Sequence, residues 1–118
     1  MNSIQRQHTD ARMSQIVVHN GTVYLAGQVP TDLTAPIAEQ TREVLSKIDR
    51  LLEEAGSSKA HILSATLFLR DLDQDFAHAN AEWEAWIPAG AAPARATVEG
   101  RMVKPDVLIE ICIVAAQR

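Results

Sequence analysis

The sequence predicts an α+β domain, with two helices covering one face of a β-sheet, and three observations carry that expectation. Strand-length runs of β-branched and apolar residues recur in "QIVVHNGTVYLAGQV", "HILSATLFL", "ARATVE" and "DVLIEICIVAA". Two stretches between them repeat apolar residues at helical spacing. The 118 residues, 47% of them hydrophobic, suit one compact domain spanning 1–118 with a real core.

The elements follow in order. A strand is expected at residues 3–8. His19-Asn20-Gly21 separates the next two β-branched runs, and Asn-Gly accepts positive φ cheaply, so a hairpin is predicted there. Gly27 falls at the end of the second run, where a glycine often marks a bulge or a close backbone approach. In "APIAEQTREVLSKIDRLLEEAG", Pro36 suits the first helical position and Gly56 the residue past the end. Ile37, Thr41, Val44, Leu45, Ile48, Leu51 and Leu52 form one stripe along that helix. "HILSATLFL" reads as the next strand. Asp71 or Asp73 caps a second helix, whose inner face carries Phe76, Ala79, Trp83 and Trp86 and which Pro88 and Gly90 stop. The last two runs are expected to pair as a hairpin. Right-handed crossovers put both helices on the same face of the sheet.

The other face has no helix to cover it. "LIEICIVA", "SATLFL" and "VYLAGQV" are apolar at nearly every position, which is how strands covered on both sides read. A second copy of the chain is the expected cover, giving a closed homo-oligomer.

Charge and cysteine content narrow the function classes. The formal net charge is −4 and there is no Lys/Arg run, so nothing is built to neutralise a nucleic-acid backbone. No apolar run reaches the ~20 residues of a membrane-spanning helix. The N-terminus lacks an apolar signal core, and the single Cys112 forms no intramolecular disulfide. A cytoplasmic setting is the expectation.

One pair of charges stands out. Arg95 interrupts a strand that otherwise reads as buried, and a buried guanidinium requires an anionic partner. If the last two strands form a hairpin centred near residues 102–103, Arg95 lies opposite Glu110, facing the same way. From pattern alone the pair reads first as a structural ion pair in an oligomer interface. The functional alternative has the arginine fork gripping a substrate carboxylate while the glutamate orients water, which suits hydrolysis of a small carboxylate-bearing molecule.

Other constellations are weaker. Asp71, Asp73, Asp75 and Glu82 match positions of a calcium loop, but Phe76 stands where that loop needs glycine, so a capped helix start is the better reading. His8, His19, His61 and His78 show no metal-ligand spacing. Cys112 reads as a small core residue, Trp83 and Trp86 as core, and Ser14 and Ser64 lie outside any nucleophile motif. No metal or cofactor is expected.

"GTVYLAGQVP", "QTREVLSKIDRLLEEAG", "NAEWEAW", "PARATVE" and "IEICIVAA", in this order and spacing, resemble the RidA/YjgF family, the Rid proteins, over nearly the whole chain. Together with Arg12-Met13-Ser14-Gln15, they resemble its YoaB-like branch most. The resemblance implies a chorismate-mutase-like fold and a homotrimer whose sheets pack into a barrel, with clefts between subunits. It also implies cofactor-free hydrolysis of 2-imino and enamine acids, such as 2-aminoacrylate, to 2-oxo acids and ammonia. By that resemblance Arg95 holds the substrate carboxylate and Glu110 handles water near the imine carbon. Asn80 lines the cleft, and the backbone of Gly27 approaches the ligand. Three positions depart from the deaminase pattern: Met13 stands near the place of a tyrosine, Ala26 where serine is common, and Thr97 where cysteine is common. Thr97 keeps a polar atom and the other two do not. Three readings follow: an imine deaminase, a module that binds small 2-oxo acids without turnover, and, least in keeping with the charge, a nuclease.

Overall fold

Asn20 and Gly21 both take positive φ, 52° and 77°, and turn the chain back on itself so that His19 pairs with Thr22. That hairpin joins two of the six strands in the computed structural model, which describes residues 3–118. The strands are β1 (Gln5–Thr9), β2 (Ser14–His19), β3 (Thr22–Leu25), β4 (Ile62–Leu69), β5 (Ala94–Glu99) and β6 (Ile109–Ala116). Helix α1 (Ile37–Glu54) follows β3, and α2 (Leu72–Trp86) links β4 to β5.

Helix α1 begins one residue later than expected. Pro36 is extended (φ −71°, ψ 171°) and its carbonyl accepts from Gln40 N, so it is the cap and Ile37 the first helical residue. Gly56, φ 77°, ends the helix as anticipated. In α2, Asp71 is the cap: its carboxylate accepts from Gln74 N at 3.0 Å, the role proposed against the calcium-loop reading. The inner face of α2 is not quite the one expected. Asp75, Ala79 and Trp83 are buried, whereas Phe76, one residue round the helix from Asp75, is 44% exposed. Trp86 is half-buried and donates its indole N–H to Asp49 across the helix pair (2.9 Å).

The sheet order is β1-β2-β3-β6-β4-β5, antiparallel throughout except for β4 and β5. This overturns the expected hairpin of the last two strands. The α2 crossover returns the chain parallel to β4, so β5 lies at the sheet edge. Residues 100–108 then pass around the end of β4, where Gly100 N donates to Leu69 O and Arg70 N to Leu108 O, and β6 enters between β3 and β4.

Both helices cover one face, as predicted. Ile16, Val23, Leu67, Leu69, Ile109, Ile111 and Ile113 pack beneath Val44, Ile48, Leu52 and Trp83, all buried. The slab measures 47 × 37 × 20 Å, thin enough for one sheet and one helix layer. The register puts Val17, Tyr24, Phe68, Val98, Cys112 and Val114 on the opposite, helix-free face, where Tyr24 is 47% and Val98 41% exposed. Among the described residues no helix is long and apolar enough to cross a membrane.

Candidate functional site

The register decides how the two singled-out charges relate. Arg95 pairs with Ala65 on β4, and Glu110 pairs with Phe68 on the same strand. Side chains alternate along a strand, so positions three apart point to opposite faces. Arg95 therefore projects to the helix side and Glu110 to the helix-free side, with β4 between their strands. The cross-strand ion pair expected from the hairpin does not form. Nor is β5 buried: as an edge strand it exposes Arg95 and most of its neighbours.

Arg95 is held by α2. Its Nη2 donates to Asn80 Oδ1 at 2.6 Å, and its guanidinium carbon sits 5.5 Å from the centre of the Trp83 ring. An amide and an aromatic face orient the fork without neutralising it. Among the described residues no carboxylate lies within ion-pair distance of Arg95. The group opens on a cleft of about 280 Å³ lined by Trp83, Glu84, Ile87 and Pro93 as well as Asn80. Two residues further along the same face of β5, the hydroxyl of Thr97 is buried with no hydrogen-bond partner. An orphaned buried hydroxyl is uncommon.

Glu110 belongs to a second cluster. A β-carbon on Gly27 would run into the Glu110 carboxylate and come within 3.3 Å of Cys112 Sγ. Gly27 thus has no side chain because the glutamate fills that space. The chain is fixed beside it by Gln28. Its backbone bonds Ile111 in both directions (2.9 and 3.0 Å), and its buried amide donates to Gln15 Oε1 and Ala26 O. Cys112, expected as a small core residue, is half-buried on the helix-free face. Burial and the neighbouring Glu110 charge push its thiol up, so it stays protonated at neutral pH.

The sequence profile of the endoribonuclease L-PSP family matches residues 3–117. The chain belongs to that family. It is 47% identical over 114 residues to the RutC family protein YoaB of Escherichia coli, covering 97% of this chain and 98% of that one. It is 44% identical over 115 residues to a RutC family protein of Haemophilus influenzae, covering 96% and 97%. A solved YjgF-family protein of Neisseria meningitidis superposes with a TM-score of 0.95 at 46% identity, over 98% of this chain and 96% of that one. Yeast Mmf1 superposes with 0.85 at 26% identity, over 93% and 90%. The resemblance to the YjgF group and its YoaB-like members is thereby shown.

Within this L-PSP chain the residues singled out by sequence fall into two groups. Arg95, Asn80 and Thr97 share the α2–β5 groove. Gly27 and Glu110 share the corner of β3 and β6, with Ala26 preceding them on β3's extension. Met13, 49% exposed, lies at the β1–β2 turn at the same end of the sheet. The Asp10 carboxylate holds that turn by accepting from the backbone N–H groups of Arg12 and Met13, which lowers its pKa. Sequence reading missed Gln28 and Gln15. The available signal was a glutamine inside the apolar run "YLAGQVP", since a polar side chain there must find partners. The histidines remain apart: His8 contacts Glu54 and His61 contacts Ser58.

Proposed function

We propose that this L-PSP family protein hydrolyses 2-imino and enamine acids to 2-oxo acids and ammonia, at clefts where one chain's Arg95 groove meets another chain's Gly27–Glu110 corner. The observation that carries this is an oriented, unneutralised arginine fork opening on a cleft. Such a fork takes a carboxylate through two parallel hydrogen bonds. The glutamate on the other sheet face cannot reach the same substrate within one chain, so the reading requires a second copy. The apolar helix-free face offers that copy a surface, and a homotrimer with its sheets packed into a barrel satisfies both needs.

The chemistry is redox-neutral. An enamine first takes a proton at C3 and releases one from nitrogen to become the imine. Arg95 holds the carboxylate, drawing electron density from C2. Glu110 accepts a proton from a water as its oxygen bonds to C2, and the C=N electron pair moves to nitrogen, which is protonated. The resulting carbinolamine expels ammonia as its hydroxyl proton leaves and the C=O bond forms. The substrate is intrinsically labile, so positioning and modest charge stabilisation suffice.

Met13 and Ala26 favour a second reading, in which the same cleft captures 2-oxo acids without turnover, because they leave no polar atom where deaminase relatives carry tyrosine and serine. The endoribonuclease in the family's name is a third, and a net charge of −4 counts against it. A panel of freshly generated imino acids separates these readings. The deaminase reading expects hydrolysis above the buffer rate, abolished in Arg95→Ala and mostly lost in Arg95→Lys, which has no fork. Carboxylate binding without acceleration supports capture alone.

A further inference from the structure

The seam between α2 and β5 holds a second recess beside the Arg95 cleft. Helix α2 runs antiparallel to β5, as its two tethers show: Asn80 meets Arg95, and Leu72 N donates to Glu99 Oε1 at 3.1 Å. One helical turn from Asn80 and two strand residues from Arg95, a second recess of about 310 Å³ lies between the same helix and strand, lined by Leu72, Asp73, Phe76 and Thr97. Its walls are mostly apolar. Phe76 stands 44% exposed at its side, turned away from the core beneath α2. Its floor is Thr97, whose hydroxyl is buried and unpaired. A large aromatic exposed beside an orphaned hydroxyl has no account in the packing of the chain. Both are accounted for if something enters the recess.

We infer that this recess is the side-chain subsite of the Arg95 cleft, and that the protein prefers 2-imino acids with apolar side chains of leucine size over the imine of alanine. The inference rests on the deaminase reading and deepens it. The spacing supports it. Two residues along a strand cover about 6.7 Å and one helical turn about 5.4 Å. A carboxylate on Arg95 thus lets a three-carbon side chain extend toward Phe76, about one turn from Asn80, while a methyl group stops short. Asp73 at the rim disfavours an acidic side chain.

The test measures kcat/KM for imines generated in place from alanine and from leucine. Wild type is expected to favour the leucine imine about tenfold or more, the scale set by apolar groups in a pocket. Phe76→Ala is expected to cut that ratio about tenfold, and Phe76→Leu to restore most of it. Phe76 lies largely outside the core, and a melting curve on each variant checks folding. Turnover of both imines at an equal ratio in wild type and Phe76→Ala overturns the subsite and leaves the deaminase reading standing. Turnover of neither overturns the deaminase reading, and the subsite is then judged by calorimetric binding of pyruvate against 4-methyl-2-oxopentanoate. Tighter binding of the larger acid, lost in Phe76→Ala, supports it; equal binding overturns it.

Discussion

The groove between α2 and β5 and the corner formed by Gly27 and Glu110 are built in opposite ways. The groove lies at the sheet edge, on a strand paired along one side only, and its arginine is held by a single amide and a ring face. The corner lies inside the sheet. Two backbone bonds and a buried glutamine clamp it, and the space beside its carboxylate is smaller than one methyl group. A carboxylate on a fixed backbone, closely packed against Gly27, can aim a water repeatedly at one place, and an open groove can admit side chains of different size. In the proposed deaminase, that division suits fixed chemistry on varied substrates.

The difference predicts how each half breaks. The largest effect is expected at the clamp. Gly27→Ala forces the Glu110 carboxylate aside, and hydrolysis should fall by two orders of magnitude or more while carboxylate binding at Arg95 persists. Overpacking of this kind costs about 1–3 kcal/mol, so the melting temperature should fall too. Retained activity would show that the corner yields. In the groove the same removal of support should be milder. Asn80→Ala frees the fork without removing it, so KM should rise about tenfold with kcat nearly unchanged; a loss confined to kcat would contradict the positioning role.

Smaller still are two effects on stability. Thr97→Val replaces an orphaned hydroxyl with a methyl group and should stabilise the ligand-free protein by about 1 kcal/mol, while weakening substrate binding. A destabilised variant would mean the hydroxyl has a partner. Asp75 is buried on the inner face of α2, and burial first, then the charge of Asp71, raise its carboxyl above the usual value, His78 partly offsetting them. A raised folded-state value means that the stability this group contributes is complete below the ordinary carboxylate range and is lost as pH climbs through the folded value. Asp75→Asn should therefore raise the melting temperature at about pH 7 and leave it little changed at about pH 3. Equal shifts at both would show the charge to be immaterial.

The same contrast explains what was legible in the sequence. Local signals were read correctly: Asn20-Gly21, the stripe of α1, the Asp71 cap. Each depends on residues within a few positions of one another. The pairing of β5 was misread because hairpin and crossover leave the same apolar run in "ARATVE", and only the three-dimensional return of α2 decides between them. That error carried the Arg95–Glu110 pairing with it, since the face of a side chain follows from register. Membership of the family was legible through the ordered motifs. Gln28 escaped notice because its importance lies in partners on two other strands. Phe76 was placed inward because helical spacing defines a stripe about three residues wide without fixing which edge of it is buried.

The central claim is that one substrate needs Arg95 of one chain and Glu110 of another. Arg95→Ala and Glu110→Gln proteins, each inactive alone, are unfolded together, refolded together and assayed for imine hydrolysis. In a ring of mixed chains about a quarter of the interfaces then carry both native residues, so the account predicts recovery to about a quarter of wild-type activity. Mixed oligomers with no activity above the separate variants would contradict it.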